Sequence, residues 1–254
     1  MLYECLPSTT KGTALLVGCG ESAKECDLSE TDIHKMGVGS IGYKDIYSWG
    51  PLDTYCTMDP PFGKTGEISA VHPDLLVEKR IHKVFARRYR SICEENHALY
   101  KGDKIAGPMS MVQTNLLFSP PDFLSTTTYC MGTDMSMITP NCRSSLFPSL
   151  KWLYDRGFRT VYLVGCDFNP PRMVATPYIT WNFWDTMRIM LNSLKPYFDQ
   201  AGFFVRNCSK DSSLTCFPYV PYKEAINPKM KEDIDERLKS EHTGEFDPTL
   251  IKML

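Results

Sequence analysis

The stretch that most constrains this chain is Thr13-Ala14-Leu15-Leu16-Val17-Gly18-Cys19-Gly20-Glu21-Ser22-Ala23. Apolar residues run straight into two glycines one residue apart, which predicts a buried parallel strand delivering the chain through a tight turn to a helix N-terminus. Such a turn lets the backbone approach an anion, and the N–H groups and dipole of the following helix attract one. The spacing fits G-x-G-x-x-A, so Gly18, Cys19, Gly20 and Ser22 are candidate nucleotide contacts; the other reading is a purely structural strand-to-helix turn. Ser22, with Glu25 three residues on, forms a capping box for a short helix expected to run to about Lys35.

At 254 residues the chain can bury the core of one large α/β domain. A net charge of −2 gives no general pull toward nucleic acid or anionic membrane. The ten cysteines fall singly, without a CxxC, and Met1-Leu2-Tyr3-Glu4 carries no basic or apolar export region. The expectation is a reduced, cytoplasmic protein whose cysteines serve as small apolar residues. No apolar run has the length of a membrane span.

Downstream, Gly37-Val38-Gly39-Ser40-Ile41 reads as a second strand, with Ser40 a candidate nucleotide contact near its end. Tyr55-Cys56-Thr57-Met58-Asp59 reads as a third, stopped by Pro60 and Pro61 and ending on a carboxylate where α/β sheets bind ligands. Residues 74–95 show an imperfect helical stripe, with Lys79, Arg80, Lys83, Arg87, Arg88 and Arg90 making a basic helix over 79–90. That helix is either a solvated face or a surface for phosphate or nucleic acid. Residues 96–143 read as irregular, with short strands at 105–108 and 115–118, and suggest a lid or acceptor-binding insert.

The pattern then sharpens. Leu146, Leu150, Leu153 and Tyr154 lie on one face of a helix begun by Ser144 or Ser145 and closed by Gly157. The apolar strand Thr160–Val164 follows and ends in Gly165-Cys166-Asp167-Phe168. A long amphipathic helix spans Phe183 to Phe198, kinked or broken at Pro196 and closed by Gly202, before a last strand at Phe203–Arg206. The alternation argues for a mainly parallel sheet with helices on both faces in one domain, 1–227, and a charged tail, 228–254.

In these blocks the chain resembles a Rossmann-like group comprising the bacterial family 42 sialyltransferases and the related DUF115 or MptE-like proteins, many of them phage-encoded. The blocks are Leu16–Ser22, Tyr55–Pro60, Ser144-Ser145 through Tyr162–Phe168, and Asn207–Leu214 with Phe217-Pro218. The resemblance implies a GT-A-like variant of the fold and a nucleotide held at the strand ends. The glycine loop would meet the phosphates, and Ser144, Ser145, Gly165, Asn207 and Ser209 would line the rest. It also implies a CMP- or UDP-type sugar donor used without a metal, in the cytoplasm, or the host cytoplasm for a phage protein. The chain departs from the group where Cys19 replaces the usual asparagine, where no asparagine stands near Gly39-Ser40, and where no histidine occurs between Asn169 and Gly202.

Glycosyl transfer needs a base for the acceptor hydroxyl and stabilisation of the departing phosphate. Asp59 and Asp167 are the acids placed to act as base or to hold a ribose or metal; either can equally bond loop amides. The function expected is a nucleotide-sugar-dependent glycosyltransferase acting on a glycan or on a modified nucleobase of phage DNA, the latter through the basic helix. The alternatives are an MptE-like, Mg²⁺-dependent pyrophosphokinase and a nucleotide-binding protein without catalysis. A nicotinamide dehydrogenase lacks its acid after the second strand, and no G-x-S-x-G is present for a hydrolase. His72, His82 and His97 are spread rather than clustered, so no metal site is expected and exposed surface is the default. Asp233-Ile234-Asp235 matches D-x-D but lies in the tail, as a solvated helix face.

Overall fold

The computed structural model describes residues 12–39, 52–61, 73–98, 102, 104–115, 123–124, 128–131, 134–140, 144–169, 181–230, 233–234 and 236–238. Nine strands form one sheet: β1 (Thr13–Val17), β2 (His34–Val38), β3 (Thr54–Thr57), β4 (His82–Ala86), β5 (Met109–Asn115), β6 (Thr128–Met131), β7 (Asp134–Pro140), β8 (Thr160–Val164) and β9 (Phe204–Asn207). Their order is β6-β7-β5-β4-β3-β2-β1-β8-β9, and every pairing is parallel except β6 with β7 at one edge. The helices are α1 (Pro73–Val77), α2 (Arg90–Asn96), α3 (Leu146–Asp155), α4 (Trp181–Gln200) and α5 (Tyr222–Ala225). The α/β fold expected from the alternation is therefore the fold observed.

Alternation within the strands sends side chains to two cores. On one face Leu16, Met36, Cys56, Val84 and Leu163 pack against Leu150 and Leu153 of α3 and Leu191 and Phe198 of α4. On the other, Leu15, Tyr55, Phe85 and Tyr162 pack against Leu75 and Leu76 of α1 and Tyr222 of α5. Ile234 and Leu238 of the charged tail join this second core, while Asp233 stays exposed. Helix α4 runs unbroken through Pro196, because Leu194 and Phe198 on either side are fully buried and hold the last turn in place. Gly157 and Gly202 stop α3 and α4 with φ of 89° and 64°, as their position predicts.

Several expectations are corrected. Ser22 does not cap a helix to Lys35; two 3₁₀ turns, Glu21–Glu25 and Leu28–Glu30, fill that stretch, because Asp27 captures the Ser29 N–H at 2.9 Å and restarts the turn. The second strand lies at His34–Val38, three residues earlier than its apolar letters suggest, since Lys35 is buried and its ammonium is satisfied by Thr31 O at 2.6 Å. The irregular segment 96–143 contributes strands β5, β6 and β7 to the sheet.

The largest correction concerns the basic helix over 79–90. Its centre is β4, a strand buried on both faces whose polar side chains are satisfied internally. Lys83 donates to Glu78 O and, at 2.5 Å, to Ala106 O, and burial lowers its pKa to about 8. His82 pairs with Ser110 Oγ at 2.7 Å. The two charged letters disguised an Ile-x-x-Val-Phe-Ala strand, and they divide the remaining cations between the two ends of β4, about 17 Å apart.

His82 and His34 lie at the amino ends of their strands under Trp152, with ring centroids 5.7 and 6.1 Å from the indole. His97 is also buried, its Nε2 2.8 Å from Gly107 O. Burial first, and then the charges of Arg156 and Lys83, lower the His82 pKa to about 3. Burial also lowers that of His34, against the opposing pull of Asp53.

A histidine held neutral in the fold but free to protonate when unfolded contributes stability that is complete above about pH 6.5 and is lost as pH falls toward the folded pKa. His82 alone should cost about 2 kcal/mol at about pH 5, read by urea unfolding at pH 7.5 and 5. His82→Asn should flatten that dependence.

Candidate functional site

In a doubly wound sheet ligands bind at the carboxyl ends of strands where the strand order reverses. Here successive strands step away from β1 in one direction through β2, β3, β4 and β5, and β8 and β9 continue on its other side. The switch lies between β1 and β8, and most of the candidate residues stand there.

The loops after β1 and β8 are packed directly on each other. Gly18 N–H donates to Val164 O and Gly20 N–H to Gly165 O, both at 2.7 Å. A Cβ on Gly18 would lie 2.5 Å from Gly165 O, and one on Gly20 2.5 Å from Asp167 Oδ2. The glycines are thus required by loop-to-loop packing. Ser22 N–H and Ala23 N–H are also engaged, by Asp167 Oδ2 at 3.1 Å and Gly20 O at 3.1 Å. A 3₁₀ turn stands here in place of a helix, and these four N–H groups are bonded within the protein.

Asp167 binds that loop with both carboxylate oxygens: Oδ2 accepts from Ser22 N–H and Oδ1 from the Ser22 hydroxyl. The Ser22 hydroxyl lies 2.5 Å from Ser209 Oγ beyond β9. Asn207 Oδ1 in turn accepts from Ser209 N–H at 3.0 Å, and Ser212 Oγ donates to the carbonyls of Cys166 and Asp167 at 3.0 Å. Gly20, Ser22, Gly165, Asp167, Asn207 and Ser209 therefore form one connected group. Phe168, next in the chain, holds a left-handed φ of 56° and packs edge-on to Trp184 at 5.5 Å.

A second group forms at the ends of β2, β3 and β4. Ser145 stands at the cap position of α3, but its hydroxyl accepts from Met58 N–H at 3.0 Å instead of from its own helix. Met58 O accepts from Arg88 Nη2 at 2.8 Å, and Asp59 N–H donates to Thr57 Oγ1 at 3.1 Å. Tyr55 OH donates to Gly39 O at 2.7 Å, and a Cβ on Gly39 would lie 3.8 Å from Ser145 Oγ. The backbone that carries Asp59 is held from three sides, while its exposed carboxyl makes no hydrogen bond among the described residues. Protein packed around that carboxyl raises its pKa, and the Arg88 guanidinium draws it partly back.

Ser144 serves the backbone, accepting from Leu146 N–H at 3.2 Å, and Ser40 lies outside the described residues. Cys19 sits half-buried at the turn, and the buried thiols Cys26 and Cys56 are pushed up to about 12 by burial. The two acids are not brought together: the ends of β3 and β8 are three strand spacings apart, about 14 Å. Among the described residues no three His, Cys, Asp or Glu side chains group closely enough to hold a metal ion. Among them, too, no helix is long and apolar enough to cross a membrane. Arg88, expected on a helix face, stands instead at the carboxyl end of a strand; its signal was a position two residues past an apolar run, as Asp59 stands past β3.

No protein-family model and no curated protein matches the chain. Two solved structures are similar to it. The sialyltransferase CST-II, in complex with a trisaccharide acceptor and CMP, has a TM-score of 0.41 and 13% identity over 82% of this chain and 85% of that one. The monofunctional α-2,3-sialyltransferase Cst-I from Campylobacter jejuni has a TM-score of 0.41 and 11% identity over 95% and 98%.

Because the glycines are held by contact, Gly18→Ala should cost about 1–3 kcal/mol of stability through overpacking. Asp167→Ala, which strips the partner from Ser22, should cost a similar amount, about 1–3 kcal/mol. Urea unfolding of both variants checks this.

Proposed function

We propose that the protein is a nucleotide-sugar-dependent glycosyltransferase with its donor across the carboxyl ends of β1, β2, β3 and β8. The observation that carries this reading is the carboxylate of Asp59, unbonded among the described residues, on a backbone clamped by Ser145, Thr57 and Arg88, at the carboxyl end of β3, two strands from β1. A general base must be positioned yet keep a lone pair for the incoming proton, and Asp59 meets both conditions. Asp167 does not, because both its oxygens are committed to Ser22. Its role in this reading is to hold the β1 loop, so catalytic work passes from the pair of acids to Asp59.

In the reaction the acceptor hydroxyl gives its proton to Asp59 as its oxygen bonds the sugar's anomeric carbon. The bond from that carbon to the donor phosphate breaks, and its electron pair leaves with the nucleotide. Ser145 and the Gly39 turn form the floor on the β2 side, with Cys19, Gly165 and Ser209 on the β8 and β9 side. The acceptor supplies a hydroxyl. A glycan is favoured over a nucleobase of phage DNA, since the basic helix on which a DNA acceptor rested is a buried strand. A Mg²⁺ site shared by Asp59 and Asp167, as a pyrophosphokinase would need, is disfavoured by their separation. Use of the donor without a metal is part of the proposal.

The test is a thermal-shift series with CMP, UDP, GDP, ATP, NAD and S-adenosylmethionine, each with and without Mg²⁺. A ligand at a hundredfold excess over its Kd should stabilise by about 2.7 kcal/mol. Stabilisation by one nucleotide without Mg²⁺ is expected. A response to ATP only with Mg²⁺ would replace this reading with the pyrophosphokinase, and silence would leave a protein without this catalysis. With the donor known, Asp59→Asn should lower transfer about 10²–10⁴-fold while donor affinity is kept. The acid limb of the pH–rate profile should lie above the ordinary carboxylate pKa of 3.8, since burial around Asp59 raises it and activity requires the ionised form.

A further inference from the structure

A nucleotide donor brings phosphate charge to this edge, yet in the glycine loop that should meet it the N–H groups of Gly18, Gly20, Ser22 and Ala23 are engaged. We propose that Arg88 is the phosphate-binding residue, presenting its guanidinium to the donor's phosphate at the carboxyl ends of β3 and β4. The proposal deepens the glycosyltransferase reading and rests on it for the identity of the donor, while anion binding by Arg88 is testable alone.

The residue stands in the 3₁₀ turn Arg87–Tyr89 that leaves β4. Nη2 donates to Met58 O at 2.8 Å, and the guanidinium carbon lies 4.9 Å from the Tyr89 ring centroid. Anchored to a strand end on one side and to a ring on the other, the group is oriented before any ligand arrives. Only one of its five N–H donors is used by that bond, so a fork remains for two phosphate oxygens. It is also close enough to Asp59 to lower that carboxyl's pKa, without a hydrogen bond between them.

Three other cations are less suited. Arg90 is engaged by Glu94 at 2.8 Å, Arg188 is paired with Asp185, and Lys210 stands past β9 at the far edge of the sheet. The charge changes of the reaction also favour Arg88. As Asp59 takes the acceptor's proton its negative charge disappears, while that of the leaving phosphate grows, so Arg88 comes to face the phosphate alone.

The experiment titrates inorganic pyrophosphate against the wild-type protein, Arg88→Gln and Arg88→Lys, following the thermal shift and Kd. Arg88 is exposed, so both variants should melt near the wild type without ligand, which serves as the folding control. Pyrophosphate should stabilise the wild type, Arg88→Gln should weaken it at least tenfold, and Arg88→Lys should fall between. Asp59→Asn, which removes the neighbouring negative charge, should tighten it. No pyrophosphate binding by the wild type, or equal binding by Arg88→Gln, overturns the proposal. Nucleotides run in parallel separate the two readings. If pyrophosphate binds through Arg88 but no nucleotide does, the glycosyltransferase reading fails and the anion site stands. If a nucleotide binds wild type and Arg88→Gln alike, the donor reading stands and Arg88 is excluded.

Discussion

The contact between the Gly18–Gly20 turn and the Gly165 carbonyl holds the middle of this sheet together at its carboxyl edge. Parallel strands splay beyond their last ladder bond unless something joins them, and here two loop N–H groups carry the ladder past Val17 and Val164 into the turns. The approach is so close that a methyl group on Gly18 or Gly20 would meet oxygen at 2.5 Å. Asp167 then fastens the same loop from the far side through Ser22, and Ser209 ties in the end of β9. Three strand ends become one rigid rim, with the order reversal inside it.

The chain shows its fold where local pattern and burial agree. The strands at Thr13–Val17, Thr54–Thr57 and Thr160–Val164 are apolar enough to be read directly, and α3 and α4 carry apolar stripes with glycine stops. The sequence misleads where burial is achieved by polar side chains. Lys35, His82 and Lys83 are buried in strands because neighbouring carbonyls and hydroxyls lie within reach of their tips, a condition set by contacts far along the chain. No window of sequence contains Ala106 O or Ser110 Oγ when Lys83 and His82 are read.

The site was legible to about the same depth. Asp59 and Asp167 read as acids just past strand ends and stand there, and Ser22, Ser145, Asn207 and Ser209 lie along the same carboxyl edge of the sheet. Which acid is committed and which is unbonded depends on loops that meet only in three dimensions. The Gly-x-Gly spacing carried two meanings, anion approach and chain approach. Contact with Gly165 is sufficient to require the glycines, and the N–H groups of Gly18, Gly20, Ser22 and Ala23 face carbonyls and a carboxylate.

The two edges of the sheet differ in how their polar groups are settled. At the amino ends His34 lies 3.1 Å from Thr54 Oγ1, His82 reaches Ser110, and Lys83 is bound by two carbonyls, so these three polar side chains answer groups of the protein itself. At the carboxyl ends the backbone is equally well held, through Ser145 and Arg88 on the Met58 peptide, yet the Asp59 carboxyl and most of the Arg88 guanidinium remain unspent beside each other. Burying polar groups with partners stabilises; two opposite charges that feel each other without a hydrogen bond between them keep their polar atoms for other groups. In the proposed reaction two different groups would complete them: a donor phosphate that accepts from the guanidinium, and an acceptor hydroxyl that gives its proton to the carboxylate.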